Sequence, residues 1–227
     1  MSNSSSPSNK PSLQWIGQNT DWVLASSNPG KLSEFRYLLC DWGLTVTPQS
    51  DLSVPDADET GLSFVENAII KARNACIHTG LPAIADDSGL EVDALNGEPG
   101  IYSARFAGKH GDNAMNNRLV LEKMASVPMA NRNARYQCIL VFMRHAKDPT
   151  PLICQASWEG LISTKEQGKN GFGYDPIFWL PEKGCTAAEL DNDEKNTISH
   201  RARAMQLFLR ALQMTNHQVD SKYHRVL

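Results

Sequence analysis

The chain has 227 residues, 41% hydrophobic and 21% charged, the composition of an ordinary globular protein long enough to bury a sizeable core. Its formal net charge is only −3 and it carries no long basic run, so nothing in the balance advertises a broad nucleic-acid or membrane-binding surface, and any anionic ligand must be met locally. Five cysteines, at 40, 76, 138, 154 and 185, show neither a C-x-x-C nor a Cys/His zinc spacing; reduced thiols in a cytoplasmic protein are expected. The N-terminus has no basic-then-apolar leader and no apolar run approaches membrane-spanning length, so neither secretion nor membrane insertion is expected.

Residues 1–20, rich in Ser, Asn and Pro, are expected to form a flexible tail, with one domain over 21–215 and a second tail over 216–227. Trp22 to Ala25 reads as a short strand, followed by the loop Ser26-Ser27-Asn28-Pro29-Gly30 and a helix with Leu32, Phe35, Leu38 and Leu39 inward. Ser63 and Glu66 form a capping-box signature before a helix carrying Val65, Ala68, Ile69, Ala72 and Cys76, ending near Gly80 and Pro82. Ala83 to Ala85 reads as a buried strand that ends at the adjacent Asp86 and Asp87. A helix over 112–124 then turns Leu119 and Val120 inward. Two long antiparallel strands follow, at 134–143 and 152–162, then a glycine-rich loop at 168–173. A short helix from about Thr186 and a last helix with Ile198, Ala202, Met205, Leu209 and Leu212 on one face complete the chain. The fold class expected is α/β: a mixed central sheet flanked by helices, in two lobes with a cleft between them.

Four stretches could carry chemistry. Ser26 to Lys31 places backbone N–H groups, a helix N-terminus and a lysine where a phosphate could bind, although it is no Walker loop, and Asn-Pro-Gly is also an everyday turn. Asp56, Asp58 and Glu59 in one loop, with Asp86 and Asp87 in another, could share a magnesium ion, which needs only one or two protein carboxylates when phosphates and waters supply the rest. For Asp56 and Asp58 a solvated loop is the favoured reading. Gly171-Phe172-Gly173-Tyr174-Asp175 offers close backbone approach, stacking faces and an acceptor for the N–H groups of a base, or else ordinary packing beside a turn. Lys195, His200 and Arg201 crowd the expected start of the last helix, where cations oppose the helix dipole unless an anion is bound.

These stretches together describe a nucleoside triphosphate site, and their order along the chain is specific. LASSNPGK, DETGLSFVENA, ADDSGLEVDALNGEPGIYSARFAG, GFGYDPIF and EKNTISHRARA make the region from Trp22 to about Leu212 resemble the inosine triphosphate pyrophosphatase family, the XTP/dITP diphosphatases. The resemblance implies hydrolysis of ITP, dITP and XTP to the monophosphate and pyrophosphate with Mg²⁺, by a homodimer that cleanses the nucleotide pool. It makes Asp87 the catalytic carboxylate and, with Glu59, the Mg²⁺ ligand. It places Ser26, Ser27, Asn28, Pro29, Gly30 and Lys31 on the triphosphate and Ser88 on substrate. Phe172, Gly173, Tyr174, Asp175, His200 and Arg201 would lie at the base, and Lys195 by phosphate or base. Ser26 stands where the family often has Thr, which keeps the hydroxyl. The partner implied is a small nucleotide, with no nucleic acid and no membrane. The rival readings are a Maf-like nucleotide pyrophosphatase, a nucleotide sensor without turnover, and a nucleic-acid grip built on the basic helix start.

Overall fold

The computed structural model describes residues 21–39 and 44–223, the segment 215–223 as backbone alone; the tail expected over 1–20 lies outside the described residues. The described residues form a seven-stranded mixed sheet in the order β2-β1-β3-β4-β5-β6-β7, flanked by helices. The strands are β1 (Asp21–Leu24), β2 (Thr45–Pro48), β3 (Ala83–Val92), β4 (Asn133–Met143), β5 (Leu152–Ile162), β6 (Phe178–Leu180) and β7 (Cys185–Thr186). The helices are α1 (Pro29–Leu39), α2 (Phe64–Thr79), α3 (Asn113–Lys123), α4 (Asn192–Ile198) and α5 (His200–Tyr223). β1 pairs in parallel with β2 and β3, while all pairings from β3 onward are antiparallel, which is the mixed α/β sheet expected. No described helix is long and apolar enough to cross a membrane.

The sequence signals place α2 well. Ser63 Oγ accepts from the Glu66 N–H at 3.4 Å, Glu66 accepts from Ser63 Oγ and the Leu62 N–H, and Gly80 ends the helix at a left-handed φ of 68°. Its alanines at 68, 72 and 75 let the helix lie close against one face of β1, β3 and β4, beside Val23, Ala85 and Val141. The other face of the same strands packs Trp22, Ile84, Leu140 and Phe142 against Phe35 of α1 and Phe208 of α5. A third cluster, with Leu90, Trp158 and Phe178, joins the far ends of β3, β4 and β5 to α3 and the β6–β7 region, making the second lobe.

Four expectations are corrected. β3 does not end at the aspartates but runs through them to Val92, because β4 pairs with it along its whole length, from Ala83↔Met143 to Val92↔Ala134. What ends there is its parallel neighbour: β1 pairs only with Ala83 and Ile84 and then turns away. The short helix expected from Thr186 is a single 3-10 turn, Ala187–Glu189, closed by a Thr186/Glu189 capping box, with α4 as a separate helix after it. Ile198 ends α4 instead of joining the last helix, and extended Ser199 breaks the chain before α5. Finally, α5 continues as helix to Tyr223, past residue 215, where a tail was expected.

Candidate functional site

The parallel strands β2, β1 and the start of β3 deliver their carboxyl ends to one edge, where the sheet changes from parallel to antiparallel. Clefts for ligands form at such places because the loops diverge there. A cleft of about 820 Å³ opens here between the two lobes.

Its first wall is the loop after β1. Asn28 precedes Pro29, the first residue of α1, and its Oδ1 accepts from the Lys31 N–H at 3.1 Å, while Ser26 Oγ accepts from the Asn28 N–H at 3.2 Å. This is a helix start with proline at the first position and no acidic residue in the first turn, so its positive end is not neutralised locally. Ser27 Oγ, by contrast, donates to Asp56 Oδ1 at 2.8 Å. Asp56 is therefore not a freely solvated charge, as the sequence suggested, although its side chain remains exposed.

The two adjacent aspartates part company because successive residues of a strand point to opposite faces. Asp86, on the α1/α5 face, is fully buried; Lys31 Nζ stands 3.0 Å from Oδ2, Arg201 Nη2 3.0 Å, and Ser88 Oγ donates to the same oxygen at 3.0 Å. Burial opposes its ionisation, but Lys31 and then Arg201 prevail and hold the carboxyl far below the usual range. Asp87, on the α2 face, has the opposite balance: burial outweighs the nearby lysines and raises its pKa. Lys71 Nζ lies 2.7 Å from Asp87 Oδ1 and 3.3 Å from Glu59 Oε1, and Asp87 Oδ2 is buried without a hydrogen-bond partner among the described residues.

Lys71 escaped the sequence reading. The available signal was its place on the apolar stripe of α2, in step with Phe64, Ala68 and Ala75, where a lysine requires an anionic partner. Among the described residues no group of three His, Cys, Asp or Glu converges on one point. Glu59 and Asp87 nevertheless converge on a single cationic atom, and one oxygen is left over. That donor set suits a hard divalent ion held by two carboxylates and completed by substrate phosphates.

The opposite wall comes from the loop before β6 and from the junction of α4 and α5. Gly171 and Gly173 take φ of 71° and 64°, conformations that side chains resist, and so turn Phe172 out between them. Its ring packs so closely on Gly30 that a Cβ there would stand 2.6 Å away. Lys195 Nζ and the Arg201 guanidinium lie 4.8 and 5.8 Å from the ring centroid. Asp175, expected to face a base, is already engaged by protein donors: Lys195 Nζ at 2.6 Å, the Phe172 N–H at 2.8 Å and the Tyr136 hydroxyl at 3.2 Å.

His200 stacks on Tyr136, with centroids 4.6 Å apart and planes 8° from parallel, and its buried Nδ1 has no partner among the described residues. Burial, reinforced by Arg201 and Lys195, pushes its pKa well below the imidazole range, so the ring is neutral at pH 7. The basic helix start noticed in the sequence proves to be two helices, with Lys195 on α4 and Arg201 in the first turn of α5. Its anions are protein groups: Arg201 pairs with Glu34 and Asp86, and Lys195 with Glu34 at 3.2 Å and Asp175. Glu34 was also missed, although a carboxylate beside Phe35 on the buried stripe of α1 is the same kind of signal as Lys71.

Every site residue expected from the sequence lines this one cleft except Gly30, which lies beneath the Phe172 ring. Asp86 also stands behind the cleft wall, tying Lys31 to Arg201.

Residues 22–211 match the sequence profile of the Ham1 family. The dITP/XTP pyrophosphatase of Thioalkalivibrio sulfidiphilus is 57% identical over 191 residues, covering 84% of this chain and 97% of that protein. The dITP/XTP pyrophosphatase of Escherichia coli K12 is 55% identical over 190 residues, covering 84% and 96%. A HAM1 protein from Coxiella burnetii superposes with a TM-score of 0.79 at 50% identity, over 86% of this chain and 98% of its own.

Proposed function

Because the chain belongs to the Ham1 family, we propose that it hydrolyses the non-canonical purine nucleoside triphosphates ITP, dITP and XTP to the monophosphate and pyrophosphate. The observation that carries this reading is the convergence of Asp87 and Glu59 on one cation position, across the cleft from a buried neutral histidine with an open ring nitrogen. Residues Ser26 to Lys31 receive the triphosphate, through backbone N–H groups at the start of α1 and the Lys31 ammonium. Lys71 offsets the charge of Asp87 and Glu59 and lies within reach of the phosphates. Ser88 lies beside them.

Asp87 and Glu59 would hold Mg²⁺, whose bound charge neutralises the phosphate oxygens and the leaving pyrophosphate. Asp87 orients a water for in-line attack on the α-phosphorus and accepts its proton. The new bond is from water oxygen to phosphorus, and the bond that breaks joins that phosphorus to the α–β bridging oxygen. Asp87 Oδ2, buried in the cleft without a partner among the described residues, is the atom available for this task. Positioning and fixed charge do the rest.

At the other end Phe172 and Tyr174 flank the base, while His200, Lys195 and Arg201 face its polar edge. Gly173 brings the backbone close, and Asp175 holds the Phe172 loop and Lys195 in place. Hypoxanthine and xanthine present O6 and N1–H, whereas adenine reverses both; donors set for O6 then reject ATP by about 10⁴-fold or more. The protein acts in the cytoplasm as a homodimer on free nucleotides, without nucleic acid.

The decisive experiment measures pyrophosphate release from ITP, dITP, XTP, ATP, GTP, CTP and TTP. Turnover confined to the non-standard purines, lost in EDTA and restored by Mg²⁺, is expected. Turnover centred on pyrimidines would replace this reading with a Maf-like one, and binding without turnover would make the protein a sensor. A narrower prediction concerns His200→Ala. Losing a buried polar partner to the base should cut the kcat/KM preference for ITP over ATP by about tenfold. An unchanged ratio would remove His200 from base recognition.

A further inference from the structure

Asp56 is an anomaly in a cleft that receives polyanions, because its carboxylate lines the wall beside the loop after β1. Its surroundings explain it. Oδ1 accepts from Ser27 Oγ at 2.8 Å and from Gln49 Nε2 at 2.5 Å, and the same Gln49 amide donates to Ser27 Oγ at 3.2 Å. Three side chains from three stations of the chain thus close a triangle of hydrogen bonds. Gln49 is buried and directly follows β2, so the triangle is anchored to the sheet. Beside it the carbonyl of Pro55 accepts from Asn74 Nδ2 of α2 at 2.8 Å, fixing the same loop from the other side. Glu59 stands three residues beyond Asp56.

A serine hydroxyl has one proton to donate, and while Ser27 gives it to Asp56 it cannot give it to a phosphate. Ser27 therefore serves the loop-to-loop contact with its side chain and leaves ligand binding to its backbone and its neighbours. We propose that Asp56 is a positioning residue that clamps the phosphate-receiving loop after β1 to the loop carrying Glu59. The anion-binding N–H groups and the metal-binding carboxylate are thereby held in one register. The inference deepens the pyrophosphatase reading and rests on it for its kinetic consequences.

The clamp and the bland alternative predict opposite signs. A bystander carboxylate beside a triphosphate only repels it, so removing the charge lowers KM. Loss of a clamp loosens both loops and raises it. In the full-length protein, Asp56→Ala should raise both KM for ITP and the half-saturating Mg²⁺ concentration by about fivefold to tenfold. Asp56→Asn, which drops the charge but keeps an acceptor oxygen in place, should return both to within about twofold of the parent. Ser27→Ala added to Asp56→Ala should cost less than Ser27→Ala alone, since the two share the Ser27–Asp56 contact and only the Gln49–Ser27 bond is left to lose. An unchanged or lowered KM in Asp56→Ala, an equal defect in Asp56→Asn, or additive defects in the double variant would each overturn the clamp.

Amide hydrogen exchange tests the same contact without turnover. Asp56→Ala should speed exchange in residues 25–31 as well as 53–61, and an effect confined to 53–61 overturns the proposal. A parent protein that releases no pyrophosphate from ITP would sink the pyrophosphatase reading instead, and the exchange result would still decide the clamp.

Discussion

Asp87→Asn is expected to lower kcat for ITP by at least about 10²-fold while leaving the fold intact, because it removes the base and a metal-holding charge without changing shape. The geometry sharpens this expectation over what the adjacent Asp86 would give. Asp86 is locked between Lys31 and Arg201 and held strongly acidic, so it has no capacity to take a proton near neutrality. Asp87 instead lines the cleft, where it faces Lys71 beside Glu59. Steady-state kinetics with saturating Mg²⁺ and circular dichroism of both proteins provide the check. A near-parental kcat in Asp87→Asn would overturn the assignment.

The largest stability effect is expected from Arg201→Met. This guanidinium, 1% exposed, pairs with Glu34 and Asp86 and donates to Ser88 Oγ at 3.0 Å. Breaking a buried pair from one side costs about 3–5 kcal/mol, since the remaining charges stay desolvated. Here Asp86 keeps Lys31 and Glu34 keeps Lys195, so the lower end, about 3 kcal/mol, is expected. In a domain of this size that lowers Tm by roughly 10 °C. Urea denaturation of the variant and parent tests it, and a difference under about 1 kcal/mol would show that the network relaxes around the loss.

The same network sets the pH dependence. Asp86 and Glu34 have folded pKa values below their unfolded ones, so their stabilisation is fully present above about pH 4 and is lost as pH falls further. His200 is also depressed, and the unfolded chain takes up its proton first, below about pH 6.5. Both contributions have the same sign. Stability should therefore decline gently from pH 6.5 and steeply below pH 4, and Arg201→Met should flatten the steeper limb.

Much of the site was legible in the sequence where the chemistry is local. The Asn28-Pro29 helix start, the Ser63/Glu66 cap and the glycines around Phe172 depend on backbone preferences of a few neighbouring residues. Lys71 and Glu34 were nearly legible, as charged residues on apolar helical stripes, but their partners are not close in sequence. Asp87 is sixteen residues from Lys71, and Arg201 is 167 from Glu34. The extent of β3 was illegible because alternation weakens where both faces are buried, and only pairing with β4 carries the strand past the aspartates.

The sequence by itself determined the mixed α/β architecture, the order of the phosphate, acidic, aromatic and basic stretches, and the family they point to. The architecture follows from periodicity, turn chemistry and residue type, which act over short stretches of chain, and the family from the resemblance of the five stretches in their order. Only the tertiary structure decided how differently the two adjacent aspartates are surrounded. A strand sends neighbours to opposite faces, and different cations stand in contact there: Lys31 and Arg201 with Asp86, and Lys71 with Asp87. Identical side chains acquire opposite pKa shifts because burial and charge are properties of the assembled fold, and residue type alone does not contain them.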